Sequence, residues 1–341
     1  MSHDSAPRLA EALERVLAGG DLHADAAEAA MREIVSGEAP EGRVAGYLIA
    51  LRMKGETADE VVGSVRALRA FGTRISPRRD IVIDTCGTGG DRSGTFNIST
   101  GAALVVAAAG VAVAKHGNRS VSSQCGSADV VAALGIPIDG EPHEVSERVE
   151  RYGFGFLMAP RFHPAIRHAM PARIALGTRT LFNLLGPLAN PAHVKRQVMG
   201  VFSADVLALA AHALRGLGTE RAYVVHSSDG LDEVSLAADT TVLEVTPFDV
   251  RETVVVPEDF GVARAAPDAL AGGDAATNAA ILRAIFGGER GPRRDAVVVN
   301  AALALRVAGA ARDFMDGARL ASETIDSGAA RRLVGEIGSA S

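Results

Sequence analysis

Asp84-Thr85-Cys86-Gly87-Thr88-Gly89-Gly90-Asp91 is followed, six residues after its last member, by Asn97-Ile98-Ser99-Thr100. An apolar run, Ile81-Val82-Ile83, feeds the glycines, and Ser99 and Thr100 stand at the mouth of a stretch rich in Ala and Val. The chemistry this suits is anion binding. Glycine lets backbone N–H groups approach a phosphate with no Cβ in the way. A helix start adds unpaired N–H donors and the positive end of a dipole. A glycine-rich loop alone is a weak signal, so its meaning depends on what else converges on it.

Three further groups of residues do so. Lys115-His116-Gly117-Asn118-Arg119-Ser120-Val121-Ser122-Ser123 directly follows a short apolar run, Val111–Ala114. In a parallel sheet, loops that follow strands share one edge, where ligands bind. Two cations, an imidazole, an amide and three hydroxyls form a dense donor set for phosphate oxygens. The alternative is a solvated polar loop, and Gly126-Ser127-Ala128-Asp129 shortly after weighs against it. Asp229-Gly230-Leu231-Asp232-Glu233 follows the apolar run Ala222–His226. Adjacent carboxylates there read as a solvated turn or a helix start, or as holders of Mg²⁺ through oxygen and water. Beside a diphosphate cradle the metal reading is favoured, because a diphosphate leaving group needs its charge neutralised. Ser99 offers a further oxygen. Last, Arg173 precedes Gly177-Thr178-Arg179-Thr180-Leu181-Phe182-Asn183-Leu184-Leu185-Gly186-Pro187-Leu188-Ala189-Asn190-Pro191. Arg173 is either an ordinary surface arginine or a guanidinium that binds a substrate carboxylate.

These residues need elements to hold them. Residues 1 to about 72 read as helices only, with Leu9, Leu13, Val16 and Leu17 on one face and Thr57-Ala58-Asp59-Glu60 as a capping box. From Asp80 short β runs alternate with helices: strands at Ile81–Asp84, Val111–Ala114, Phe154–Met158, Val198–Phe202, Ala222–His226, Val242–Val245 and Thr253–Val256. That alternation predicts an α/β fold with a mainly parallel sheet flanked by helices. Residues from about His163 to Leu185 look helical again. The expectation is a smaller, discontinuous all-helical domain (1–72 and about 163–188) and a large α/β domain (77–160 and 190–341), with a ligand cleft and hinge between them.

Composition sets bounds. The chain has 341 residues, 48% hydrophobic and 22% charged, with a net charge of −6 and no Trp. No global basic field favours nucleic acid or an anionic membrane. Two cysteines, Cys86 and Cys125, build no disulfide framework, and the start of the chain lacks the pattern of a signal peptide. The longest apolar run, Gly101 to Ala114, is too short to span a bilayer. A cytoplasmic protein is expected.

Taken together, the Gly-Thr-Gly-Gly-Asp loop (87–91), Asn-Ile-Ser-Thr (97–100), the Lys115–Ser123 segment, Asp232-Glu233, Phe182–Leu188 and the late Arg294-Asp295…Asn300 closely resemble anthranilate phosphoribosyltransferases of tryptophan biosynthesis. The resemblance spans nearly the whole chain. It implies transfer of phosphoribosyl from 5-phosphoribosyl 1-diphosphate (PRPP) to the amine of anthranilate, with release of diphosphate. It further implies a PRPP site at Gly87, Gly90, Asp91, Thr95, Asn97, Ile98, Ser99, Thr100, Lys115, His116, Gly117, Asn118, Arg119, Ser120, Val121, Ser122, Ser123 and Ser127. Anthranilate would lie against Gly87, His116, Asn118 and Arg173; Ser99, Asp232 and Glu233 would hold Mg²⁺, two ions per subunit. A homodimer joined through the helical domain is implied, with neither nucleic acid nor membrane as partner. No general base is assigned; His116 is the candidate, with aromatic contact or structural support as its other reading. Three positions depart from the family pattern: Gln124 where Lys is frequent, Thr178 for a common Ile, and Ser227 where Gly usually follows the strand His. Two rivals are weighed. A nucleoside phosphorylase of related fold carries Lys-His-Ser where this chain continues His116 with Gly117-Asn118-Arg119. A non-catalytic, nucleic-acid-binding relative should be basic and lose Arg173 or the Asp-Glu pair, and this chain keeps both.

Overall fold

Four helices precede any strand in the computed structural model, which describes residues 8–119 and 124–339: α1 (Arg8–Leu17), α2 (Ala24–Ser36), α3 (Glu41–Lys54) and α4 (Ala58–Phe71). The capping box at the start of α4 forms as expected. The Glu60 N–H donates to the Thr57 hydroxyl at 3.3 Å, and the Thr57 N–H donates to the Glu60 carboxylate at 2.8 Å. Glu60 is itself buried, and it accepts from the Leu22 N–H at 3.0 Å and from Lys54 at 3.1 Å, so its charge is compensated.

The sheet has seven strands: β1 (Val82–Asp84), β2 (Ala112–Gly117), β3 (Phe154–Met158), β4 (Arg196–Gly200), β5 (Arg221–Ser227), β6 (Thr240–Val245) and β7 (Val250–Val255), in the order β3-β2-β1-β4-β5-β6-β7. The pairs from β3 through β5 are parallel, and β5–β6 and β6–β7 are antiparallel. The helices that follow are α5 (Ile98–Ala108), α6 (Ser127–Ala133), α7 (Pro142–Tyr152), α8 (Ala159–Phe162), α9 (Met170–Leu176), α10 (Phe182–Leu188), α11 (Leu207–Gly216), α12 (Ala275–Phe286), α13 (Pro292–Ala308), α14 (Phe314–Asp326) and α15 (Ala329–Ser339).

The strands sort their side chains by the two-residue period. Val198, Tyr223, Val225 and Val242 join the core beneath α5 and α13. Their neighbours Met199, Val201, Ala222, Val224, Leu243 and Val245 join the core that holds α11 and the apolar faces of α1–α4. The four leading helices therefore share one hydrophobic core with one face of the sheet, and α11 packs directly on α4. α9 packs on α3 and α10 on α4. α5 is apolar on every side because it lies between β2, α13 and α15.

Several boundaries differ from the sequence reading. β2 runs on to Gly117, so Lys115 and His116 are strand residues rather than loop residues; pairing of Lys115 with Phe156 and His116 with Leu157 on β3 carries the strand past its apolar part. β4 starts at Arg196, two residues before the expected Val198. The stretch from His163 to Leu185 is helical, as expected, but in short pieces: a 3-10 turn at Pro164–His168, then α9 with a proline in its first turn, then the start of α10. The last two strands are joined by the tight turn Thr246–Asp249, where the Thr246 N–H donates to the Asp249 carbonyl at 2.9 Å, which makes the β6–β7 pair antiparallel.

Candidate functional site

A cavity of about 480 Å³ opens at the carboxyl ends of β1, β2, β4 and β5. β1 sits between β2 and β4, so the loops after β1 and β4 leave in opposite directions, and the crevice between them is where an open α/β sheet takes its ligand. All the lining residues belong to the β1-to-β3 region or to the chain from β4 onward; the first four helices and residues 163–188 contribute none. This cavity therefore lies within the α/β part.

Close backbone packing builds its floor. A Cβ on Gly200 would lie 1.5 Å from the Asp232 carbonyl oxygen, so only glycine lets the end of β4 meet the acidic segment. A Cβ on Gly87 would meet the Asp232 carboxylate at 3.0 Å and the Gly200 carbonyl at 3.2 Å. Thr88 ties the glycine loop to β4, its N–H donating to the Gly200 carbonyl at 2.9 Å and its hydroxyl accepting from the Phe202 N–H at 3.0 Å. Gly89 and Gly90 take positive φ, 62° and 81°. The Gly89 N–H donates to the Asp232 carboxylate at 3.0 Å, so one loop donor already serves the acidic pair.

Glu233 accepts from the Ser99 N–H at 2.9 Å, and Ser99 lines the cavity beside it. Its other carboxylate oxygen is buried with no partner among the described residues. Burial pushes Asp232 up from the ordinary carboxylate range, and the charge of Asp91 adds to this. Burial and the Asp232 charge push Glu233 up in the same direction. Two carboxylates held against each other, with an orphaned oxygen and a serine hydroxyl beside them, suit a hard divalent cation. Among the described residues no three His, Cys, Asp or Glu side chains form a closed metal cluster, so an ion here would complete its shell with ligand and water oxygens.

The opposite wall comes from β2. Lys115 is 2% exposed and its ammonium donates to the Thr85 carbonyl at 3.0 Å and to the Thr85 hydroxyl at 3.3 Å. Asp84 is fully buried below it, accepting from Asn190 Nδ2 at 2.7 Å and from the Thr85 N–H at 2.7 Å. Burial pushes Asp84 up to about 6, against the pull of Lys115. His116 faces the Gly186 carbonyl through Nδ1 at 2.9 Å. A carbonyl only accepts, so the neutral ring carries its proton on Nδ1, and Nε2 keeps a lone pair. That Nε2 is buried and unpartnered among the described residues. Burial, with His163 5.4 Å away ring to ring, lowers His116 to about 3. It is neutral at physiological pH.

Of the remaining sequence-predicted residues, Gly90, Asp91, Thr95, Asn97, Thr100 and Ser127 line the cavity. The Ile98 side chain is turned fully into the core. Gly117 packs too tightly against Phe156 and Ser127 to accept a Cβ, and it does not line the cavity. Asn118 turns its side-chain oxygen onto the Arg119 N–H at 2.8 Å, and Arg119 pairs with Asp129 at 2.9 Å. Ser120, Val121, Ser122 and Ser123 lie outside the described residues. Arg173 is half-buried on α9 and does not line the cavity. Its guanidinium lies 5.0 Å from the Phe182 ring centroid and forms no salt bridge among the described residues. Burial pulls its pKa down.

The sequence reading gave no role to two lining asparagines. Asn278 on α12 donates to Asn97 Oδ1 at 3.0 Å and accepts from the Gly273 N–H at 2.8 Å; Asn97 passes the link on to the Cys125 carbonyl at 3.4 Å. Asn300 on α13 bonds to the backbone of Val234, next to the acidic pair. Arg179 was also passed over. It donates to the Gly90 carbonyl and lies 4.1 Å from the Phe202 ring centroid, bridging the segment before α10 and the glycine loop.

Comparison with known proteins gives concordant results. Residues 79–331 match the family model described as "Glycosyl transferase family, a/b domain", and residues 10–72 match "Glycosyl transferase family, helical bundle domain". An anthranilate phosphoribosyltransferase of Desulforudis audaxviator is 51% identical over 321 residues, covering 94% of this chain and 93% of that protein. The crystal structure of anthranilate phosphoribosyltransferase from Thermus thermophilus superposes with a TM-score of 0.92 at 43% identity, covering 96% of this chain and 98% of that one. The Saccharomyces cerevisiae enzyme in complex with PRPP and Mg gives a TM-score of 0.90 at 27% identity, with both chains fully covered.

Proposed function

The chain belongs to the anthranilate phosphoribosyltransferase family, and from that premise we propose that it transfers phosphoribosyl from PRPP to the amine of anthranilate, releasing diphosphate, in tryptophan biosynthesis. The observation that carries this reading is the convergence, in one cavity of about 480 Å³, of the glycine loop, the start of α5, Lys115 and the Asp232–Glu233 pair with its orphaned oxygen.

Breaking the bond from ribose C1 to diphosphate leaves positive charge on the sugar and negative charge on the leaving group. Ser99, Asp232 and Glu233 would hold Mg²⁺, two ions per subunit, which neutralise diphosphate when bound. Lys115 supplies a fixed cation to the same leaving group, and backbone donors of the loop and of the α5 start surround it. PRPP would occupy the cavity from Gly87 round to Ser127, and the resemblance adds Asn118, Arg119 and Ser120–Ser123 to its contacts. Anthranilate would sit at the mouth, its carboxylate on Arg173, its ring edge by Asn118, and Gly87 and His116 nearby. The aromatic amine is neutral at pH 7 and needs positioning more than deprotonation. The lone pair on His116 Nε2 suits an acceptor for an amine N–H, and its depressed pKa favours that role over a base in the free enzyme.

Residues 1–72 and about 163–188 act in this reading as one helical domain, supported by the packing of α9 on α3 and α10 on α4. Residues 77–160 and 190–341 form the α/β domain. Movement of the first toward the second brings Arg173 over the cavity and limits hydrolysis of PRPP. The exposed Leu17, Met53 and Ile174 on α1, α3 and α9 offer an apolar surface for a homodimer. The reaction would run in the cytoplasm, in keeping with a chain whose two cysteines, Cys86 and Cys125, form no disulfide.

Anthranilate fluoresces. Loss of its emission on adding PRPP and Mg²⁺ to the protein is the expected result; steady emission with folded protein overturns the assignment.

A further inference from the structure

Asp232 and Glu233 stand between β5 and β6, so no strand ladder or helix fixes the direction of their side chains. Something else must, and two side chains on opposite sides of the segment do it. Ser227, the last residue of β5, is fully buried. Its Oγ lies 2.6 Å from the Glu233 carbonyl oxygen, 2.6 Å from the Thr240 hydroxyl and 3.2 Å from the Ser235 N–H. A carbonyl cannot donate, so the serine proton goes to Glu233, and Thr240 and Ser235 donate to the serine. One donor and two lone pairs are then all used. From the other side, Asn300 on α13 accepts from the Val234 N–H at 2.9 Å and donates to the Val234 carbonyl at 3.1 Å and the Ala296 carbonyl at 2.9 Å. The two carbonyls fix which end of the amide is nitrogen.

The Glu233 carbonyl and the Val234 N–H belong to the same planar peptide group. Ser227 holds one edge of that plane and Asn300 the other. With the plane pinned, the backbone rotations on either side of it are set. The Glu233 carboxylate then meets the Ser99 N–H, and the Asp232 carboxylate meets the Gly89 N–H.

We propose that Ser227 and Asn300 are positioning residues: by clamping the Glu233–Val234 peptide from both sides they aim the Asp232 and Glu233 carboxylates at the divalent cation. The inference rests on the reading that these carboxylates hold Mg²⁺. Neither residue needs to touch the ion. Outer partners of metal ligands commonly alter affinity by about tenfold to a hundredfold. Ser227→Ala removes the donor to Glu233. Asn300→Asp keeps the bond from the Val234 N–H and sets an anionic oxygen against the Val234 and Ala296 carbonyls.

The test is Mn²⁺ binding in the presence of diphosphate, followed by electron paramagnetic resonance, together with the Mg²⁺ dependence of turnover. In each variant the Mn²⁺ dissociation constant and the half-saturating Mg²⁺ should rise about tenfold, while the Michaelis constant for anthranilate at saturating Mg²⁺ stays at the wild-type value. Circular dichroism and melting temperature establish that the variant is folded; if Asn300→Asp fails to fold, Ser227→Ala decides. Folded variants that bind Mn²⁺ as the wild type does overturn the clamp. Wild-type protein that turns over anthranilate without binding Mn²⁺ overturns the metal site and the clamp with it, and leaves the transferase reading intact. Wild-type protein that binds Mn²⁺, responds to both substitutions and turns over no anthranilate overturns the transferase reading alone.

Discussion

Glu233 carries an unusual electrostatic load: a buried carboxylate beside a second one, with one oxygen unpaired. Its folded pKa lies above its unfolded value, so the folded state binds the proton more tightly. The metal-free protein therefore gains stability as pH falls through the raised value toward the ordinary carboxylate range, and loses that gain at higher pH. Glu233→Gln should mimic the protonated form, because glutamine can still accept from the Ser99 N–H. We expect a melting temperature about 1–2 °C higher in the absence of metal and loss of cation binding; a lower melting temperature would contradict the burial argument. Protons compete with the cation for the same oxygens, so the half-saturating Mg²⁺ should rise as pH is lowered from 8 to 6. At Arg173 the prediction concerns substrate. Loss of a charge-assisted hydrogen bond costs about 1.5–3 kcal/mol, so Arg173→Ala should raise the Michaelis constant for anthranilate about tenfold or more and leave that for PRPP near wild type. The reverse pattern in steady-state kinetics would remove Arg173 from the carboxylate. The residues that stand out by type in the sequence, Gly87, Gly89, Gly90, Asp91, Lys115, Asp232 and Glu233, are the ones the fold gathers at one cavity. Asn278 and Asn300 line the same cavity and do not stand out. A single asparagine in a helix looks alike whether it faces solvent or, like Asn278, meets a partner 181 positions away.

Elements decide how those residues face. β2 places Lys115 and His116 next to each other on an extended strand, so their side chains leave opposite faces. One reaches Thr85 and the other Gly186. The sequence suggested a loop here because Lys-His-Gly is polar, but the β3 ladder overrides local preference. The end of β4 is a second such control. Gly200 lies against the Asp232 carbonyl, and a methyl group has no room there. Gly200→Ala should cost about 3 kcal/mol or more through overpacking, read as a large fall in melting temperature, and any folded fraction should show weakened Mg²⁺ dependence. Wild-type stability and wild-type Mg²⁺ response would show that the acidic segment is free to shift. Ser227 illustrates the limit of pattern reading at this scale. It stood out only as a departure, and its use follows from the end of β5 lying beside the start of β6.

For the molecule as a whole, the alternation of strands and helices correctly announced an α/β fold, and the leading helices were legible from their apolar stripes. The antiparallel strands were less so, because strand direction leaves little trace in strand composition. The shared core was also hidden: nothing in the leading helices signals that α4 will pack on α11 and so join one face of the sheet. That continuity confines spare apolar surface on these helices to positions such as Leu17, Met53 and Phe71, with Ile174 of α9 a further one. If the chain forms the proposed homodimer through this surface, Met53→Glu should shift it toward monomer in sedimentation velocity, with near-native melting of the remaining fold. An unchanged sedimentation coefficient would direct the search for a subunit contact elsewhere.

Arg52 on α3 is exposed and distant from the cavity in sequence, yet its guanidinium donates to the Thr178 hydroxyl at 2.6 Å and to the Arg179 carbonyl. Arg179 in turn holds the Gly90 carbonyl. A tether thus runs from the outside of the helical block to the glycine loop through two arginines that bear no mark of catalysis. When natural variants of such a chain are sorted, a change at Arg52 would be filed as harmless surface drift, although the geometry makes it a remote adjustment of how firmly the glycine loop is held.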